Sequence, residues 1–315
     1  MSPKKKIKYG VMTGFISTLI GLVAGGYYSY FKGIRNSTFN KQKAITTDPE
    51  KYALSNDSTW FSQIAKQEVF TTSEDGLKLN GYFIKHPDDK HQGVILAHGY
   101  RHERFQMISY AKLFYEMGFD VLMPDARGHG TSGGNHIGFG WLDRRDYITW
   151  TKLLIGLTHA DEKIVLMGIS MGAAGVLATA GEKDVSQNVV GVIADSSFDN
   201  LFEEFHFRMK YHYHLPFKIL TEITSGFTKI LAGYSFREAN ILHQVAKIKV
   251  PILFIHGESD HYVPTKMMDN LVNEAKQPVN VYIGSHSDHV RSFHDNPILY
   301  KRAIKEFLQQ NRLDK

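Results

Sequence analysis

Serine, aspartate and histidine recur in this 315-residue chain at positions from which they could cooperate in acyl transfer. Gly168-Ile169-Ser170-Met171-Gly172 has the G-x-S-x-G pattern. A serine hydroxyl is a weak nucleophile at neutral pH, so it needs a base to take its proton and an acid to orient that base. The stretch ILFIHGESD places an acid, Asp260, just beyond an apolar run. Further on, SHSDHVRSFHDNP supplies three candidate bases, His286, His289 and His294. The order along the chain is therefore Ser, Asp, His. Asp195, which follows the preceding apolar run, is the rival acid.

The five-residue pattern is a weak signal by itself, and the elements around it decide its meaning. The apolar KIVLM precedes it and the small-residue stretch MGAAGVLATAG follows. A sharp strand-to-helix turn there would lift the hydroxyl above a sheet edge, and the glycines would let neighbouring backbone approach. The first N–H groups of the helix would face a developing oxyanion. Strands are predicted at Gly93–His98, Phe119–Pro124, Lys163–Ile169, Val189–Asp195, Val250–His256 and Val279–Gly284. Runs such as VILAH, IVLMG and ILFIH are apolar on both faces, as in strands covered from both sides. Glu68–Ser73 and Leu77–His86 alternate and are joined by Glu74-Asp75-Gly76, which predicts a hairpin. Helical periodicity falls near 103–117, 141–158, 171–181, 265–276 and 297–311. Such alternation predicts a mostly parallel, doubly wound α/β sheet. Serine, acid and histidines all fall past strand C-termini, the edge where open sheets build their sites. The stretch 199–245 breaks the rhythm and is rich in Phe, Tyr and His, which predicts a helical insertion rather than a structureless loop.

Four segments together resemble the α/β-hydrolases over about residues 68–311. Leu96-Ala97-His98-Gly99-Tyr100 resembles their His-Gly oxyanion loop, and Pro124–Ser132 resembles their D-x-R-G-x-G-x-S segment. Gly168–Gly172 resembles the nucleophile elbow, and His256-Gly257-x-x-Asp260-x-x-Val263-Pro264 the acid loop. The chain is similar in style to the monoglyceride-lipase and serine-aminopeptidase branch, and to bacterial membrane-bound cell-surface hydrolases. The resemblance implies Ser170 as nucleophile, Asp260 as acid and His289 as base, with the backbone N–H groups of Tyr100 and Met171 as oxyanion hole. It places a cap at 199–245 and needs no cofactor or metal. It further implies a small-molecule ester or short-peptide substrate, cleaved through an acyl-enzyme. Dehalogenases and epoxide hydrolases are disfavoured, because those relatives carry Asp where this chain has Ser170.

Other polar residues have plainer readings. His98 is expected to brace the oxyanion loop, and Arg127 and Asp125 to hold loops together through ion pairs. His206, His212 and His214 suggest a metal site, but no carboxylate pattern accompanies them. Cysteine is absent, which excludes disulfide scaffolds, thiolate zinc sites and iron–sulfur clusters. The net charge of +5 is local: residues 1–35 hold six bases and no acid, which leaves 31 bases against 32 acids elsewhere. The folded part therefore has no nucleic-acid footprint in its charge. Tyr9 to Phe31 is 23 residues without a charged side chain, preceded by Lys-Lys-Lys-Ile-Lys. At about 1.5 Å per residue such a helix spans a ~30 Å hydrocarbon core, and it is expected to be an uncleaved, single-pass anchor. The expected organisation is an anchor at 1–35, a juxtamembrane linker at 36–66 with a short helix around Pro49–Lys66, and a hydrolase domain at 67–315. The cell-surface resemblance implies that this domain lies outside the cell.

Overall fold

The apolar runs and amphipathic stretches form one mixed sheet with helices on both faces. The computed structural model of the chain describes residues 3–35, 54, 56–212, 214 and 218–313, with side chains from Met12 onward. Strands β1 (Gln67–Thr72) and β2 (Lys78–Ile84) make the predicted hairpin, and β2 pairs antiparallel with β4 (Asp120–Pro124). From β4 onward every neighbour is parallel, through β3 (Gln92–Ala97), β5 (Lys163–Ile169), β6 (Val189–Asp195), β7 (Ile252–Gly257) and β8 (Val279–Gly284). The spatial order is β1-β2-β4-β3-β5-β6-β7-β8.

Period-two alternation splits each central strand between two cores. Val94, Leu96, Val165, Met167 and Ile169 face one, packed against α3 (Ile108–Glu116), the short α10 (Ser292–Asp295) and α11 (Pro297–Gln310) through Leu113, Phe114, Phe293, Tyr300 and Phe307. Ile95, Ala97, Ile164 and Leu166 face the other, against α4 (Asp143–Leu157), α5 (Met171–Ala180) and α9 (Thr265–Glu274) through Trp150, Leu154, Leu177 and Leu271. Burial on both faces explains why these strands carry polar residues only at their ends, such as Gln92 of β3 and Lys163 of β5. The expected helix at 103–117 opens as a 3-10 turn, Arg104–Met107, before α3. Of the expected linker helix, α2 covers Asp57–Gln63; Pro49 and the linker residues 36–53 lie outside the described residues.

The insertion is helical, as expected, with α6 (Leu201–Tyr211), α7 (Lys218–Ala232) and α8 (Ile241–Val245). Asn200 caps α6 by accepting from the N–H groups of Phe202 and Glu203, and Asn240 caps α8. The two asparagines also pair across a single antiparallel bridge, which closes the neck of the cap.

The N-terminal helix α1 (Pro3–Gly33) corrects the expected transmembrane span. Among the described residues no helix is long and apolar enough to cross a membrane, and the side chains of Tyr9, Gly10 and Val11, where the expected span began, lie outside them. The last turns of α1 are built into the protein. Tyr30 and Ile34 are 2% and 0% exposed. A Cβ on Gly26 would come within 2.4 Å of the Ile223 side chain on α7, so α1 presents bare backbone to that side chain.

Candidate active site

Ser170 sits between β5 and α5 with φ 53° and ψ −117°, outside the regions a side chain ordinarily prefers. The turn is held by close backbone approach on both sides. A Cβ on Gly168 would lie 2.3 Å from the carbonyl carbon of Gly172, and one on Gly172 would lie 2.2 Å from the carbonyl oxygen of Ala97. Neither position accommodates a side chain, so the two glycines of the pattern are what permit the elbow. Ser170 N–H donates to the Asp195 carbonyl at 2.7 Å, which ties the elbow to β6.

His289 reaches this serine from the loop after β8. Its Nε2 is 2.9 Å from Ser170 Oγ, and its Nδ1 is 2.7 Å from Asp260 Oδ2. A proton on Nδ1 donates to the carboxylate and leaves Nε2 as the acceptor facing the hydroxyl. Asp260 lies in the loop after β7, where its Oδ1 accepts from the N–H groups of Tyr262 (2.9 Å) and Val263 (2.8 Å). Burial raises the Asp260 carboxyl, but the hydrogen bonds from His256 and His289 outweigh it and hold the group below its usual range. Asp260 is thus an anion at neutral pH, placed to keep one imidazole tautomer.

The rival residues lie elsewhere. Asp195 is fully buried and accepts from Tyr300 OH at 2.8 Å and Ser196 Oγ at 2.9 Å, away from the imidazole. Burial pushes its carboxyl up. The His286 side chain is 92% exposed beside Glu258, and His294 is on the surface beside Arg291.

The two expected oxyanion donors flank Ser170. Met171 is the first residue of α5, whose leading N–H groups have no acceptor within the helix. Tyr100 lies on the loop after β3, and both line the same cavity as Ser170. That loop is braced as expected from His98. Its Nε2 accepts from Ala126 N–H at 2.9 Å and its Nδ1 donates to the Gly99 carbonyl at 2.8 Å. Gln106 Oε1 accepts from Gly99 N–H, and His129 Nε2 accepts from Arg101 N–H. Burial lowers both histidines, His129 to about 3, so they brace the loop as neutral rings. Arg127 joins Asp146 and Asp75, and Asp125 joins Arg104, in the expected loop-holding pairs.

Sequence reasoning passed over several groups at this site. His256, quoted only as part of the acid loop, places its Nε2 3.2 Å from Asp260 Oδ2 and 2.9 Å from the Val263 carbonyl. Tyr262 stacks on the His289 ring, with centroids 4.7 Å apart and planes at 18°. The Arg208 guanidinium of α6 lies 3.3 Å from the Tyr262 ring centroid. Glu204, 5% exposed, lines the cavity, and burial pushes its carboxyl up to about 8. His256 was detectable from its i, i+4 spacing to Asp260; the others depend on how the cap folds back. The cavity, about 560 Å³, has mostly apolar walls that include Phe139, Phe198, Leu201, Phe205 and Met209.

Among the described residues, one group could ligate a metal: Asp89, His91 and His159, in the loops before β3 and before β5. These loops are at the opposite sheet edge from Ser170. The two rings stack 3.8 Å apart at 7°, so their in-plane lone pairs cannot converge on one ion in this arrangement. Of the suspected cap histidines, His212 Nε2 contacts the His261 carbonyl, and none of the three joins a ligating group.

Residues 88–210 match the family model described as serine aminopeptidase, S33. The chain is 32% identical over 248 residues to the uncharacterized protein YqkD of Bacillus subtilis, covering 79% of this chain and 81% of that protein. It is 28% identical over 250 residues to YfhR of Escherichia coli O157:H7, also uncharacterized, covering 77% and 80%. Among solved structures, an esterase of Pyrococcus furiosus superposes with a TM-score of 0.66 at 26% identity, covering 82% of this chain and 96% of that one. An acylaminoacyl peptidase of Pyrococcus horikoshii shares the fold alone, with a TM-score of 0.61 at 17% identity, over 83% of this chain and 44% of that one. With its parallel sheet, its elbow and these relatives, the chain belongs to the α/β-hydrolase superfamily, in the serine aminopeptidase S33 branch.

Proposed function

We propose that the protein is a serine hydrolase that cleaves carboxylic esters through an acyl-enzyme. The observation that carries this is the unbroken chain of hydrogen bonds from Ser170 Oγ through His289 to Asp260. Ser170 Oγ attacks the substrate carbonyl carbon while His289 Nε2 takes its proton. The carbonyl π electrons move onto oxygen, and the N–H groups of Tyr100 and Met171 stabilise that oxyanion. Collapse expels the alkoxide, which receives the proton from the imidazolium. Water repeats the sequence on the acyl-serine and releases the acid. Asp260 holds the imidazole in place and offsets its charge.

Apolar cavity walls and the esterase among the structural relatives support an ester substrate. The aminopeptidase description of the family model supports a second reading, the same three residues cleaving a peptide bond. A panel of p-nitrophenyl esters and aminoacyl-p-nitroanilides separates the two. In either case Ser170→Ala is expected to remove on the order of 10⁴ to 10⁶ in turnover with an unchanged melting profile. Retention of most activity by that variant would exclude Ser170 as nucleophile.

We also propose that the exposed turns of α1 hold the protein at a membrane with the hydrolase domain outside the cell. Phe15 and Ile20, 69% and 63% exposed, support this, as does the lysine cluster before them. Membranes isolated without an alkaline wash should retain the full chain but not a variant lacking residues 1–35, and protease added to intact cells should reach the domain. Recovery of the full chain in the unbound fraction would refute it.

A further inference from the structure

Helix α1 is outside the hydrolase fold, yet its last turns reach the catalytic cavity. Ser29 and Gly33, both half-buried, together with Tyr28 and Lys32, line the same cavity as Ser170 and Met171. The contact is fixed from several directions. Tyr100 OH donates to the Gly33 carbonyl at 2.7 Å, and Arg101 Nη2 donates to the Lys32 carbonyl. Ile137 N–H donates to the Ile34 carbonyl at 2.8 Å, and Arg35 bridges to His136. The Tyr27 ring meets Phe227 of the cap edge-on at 5.3 Å. These bonds satisfy carbonyl groups at the end of α1 that the helix itself leaves without a donor. The bonds from Tyr100 and Arg101 come from the loop after β3, and those from His136 and Ile137 from the loop after β4.

We propose that the last two turns of α1 form a wall of the substrate site and that Ser29 limits how long an acyl group the site accepts. The ligand class is a medium-chain, unbranched acyl group, held in the cavity that Ser29 of α1 lines together with Phe205 and Met209 of α6. Mostly apolar walls and few polar groups suit such a chain. The substrate class rests on the ester-hydrolase reading, whereas the placement of the wall does not.

The test uses the full chain and Ser29→Trp, which fills the cavity from α1. Val23→Trp is the control on the same helix away from the cavity. Second-order rates of serine labelling are read with an ethyl and a decyl fluorophosphonate. Ser29→Trp is expected to lower the decyl rate at least ten-fold and to leave the ethyl rate within three-fold, with Val23→Trp near wild type. Decanoate binding, read by calorimetry, depends on the cavity and not on serine reactivity, and should weaken at least ten-fold in Ser29→Trp alone. Equal loss with both probes, no loss with either, or the same loss in Val23→Trp overturns the proposal. A wild-type protein that binds decanoate but is labelled by neither probe would sink the nucleophile assignment while leaving the wall in place.

Discussion

Asp260 and Asp195 are adjacent in the order of strand ends, and their surroundings separate them. Asp260 receives two backbone N–H groups and two imidazoles, whereas Asp195 receives a tyrosine and a serine hydroxyl, and burial dominates its surroundings. Asp260→Asn is therefore expected to lower kcat about 10⁴-fold, by removing the group that fixes the tautomer. Asp195→Asn should keep the mechanism and lose stability instead; kcat and melting measured on both variants check the split. Glu204 gives a prediction in pH. An unfolded glutamate titrates near ~4.3, whereas burial holds this one protonated up to about 8. Between those values the folded state binds a proton that the unfolded state has lost, so stability falls as pH rises. Glu204→Gln removes that slope. It should melt a few degrees above wild type at pH 8.5, with the gap closing toward pH 5. A gap that widens toward acid pH would contradict the assignment. The elbow serine and the acid were legible because pattern and flanking elements agree. His289 could be singled out from resemblance only, since His286, His289 and His294 lie close together in sequence.

Elements were legible wherever burial imposes a period. β5, β6 and β8 begin and end where their apolar runs do, and α11 starts at Pro297 behind the capping Asn296. α1 misled for a physical reason. The residues that dock it, Gly26, Tyr30, Gly33 and Ile34, are the small and apolar types that would also suit a bilayer, so composition cannot separate the two environments. The turn between β5 and α5 yields a prediction at this scale. Gly172→Ala puts a methyl against the Ala97 carbonyl, at an overpacking cost of about 1–3 kcal/mol. Relief must move either the elbow or the oxyanion loop, and a displacement near ~1 Å costs on the order of 10² in rate. Kinetics and a melt on the same variant should show both losses; a fully active Gly172→Ala protein would mean the backbone yields without consequence.

The whole molecule joins three parts at one cavity: the sheet edge, the cap and the end of α1. Removing residues 1–35 is expected to cost more than a tether. Tyr30 and Ile34 each bury a side chain worth roughly 1.5–3 kcal/mol, and about 2–4 °C accompanies each kcal/mol in a domain of this class. The variant should melt roughly 10 °C lower and show a reduced kcat/KM, since Tyr100 loses its bond to Gly33. An unchanged melt and rate would show that α1 docks without contributing. This three-part assembly was not legible in the sequence, because no local period reports that a distant helix returns to the mouth of the site.

The stack of Arg208 on Tyr262 on His289 links the cap to the imidazole beside Ser170 by touch. The face of the imidazole is occupied, so the ring cannot turn over while the cap is seated. In engineering terms the cap is not an exchangeable module. A graft that imports another relative's cap without its own partner for Tyr262 would also import a different orientation of the base, and substrate range and turnover would change together.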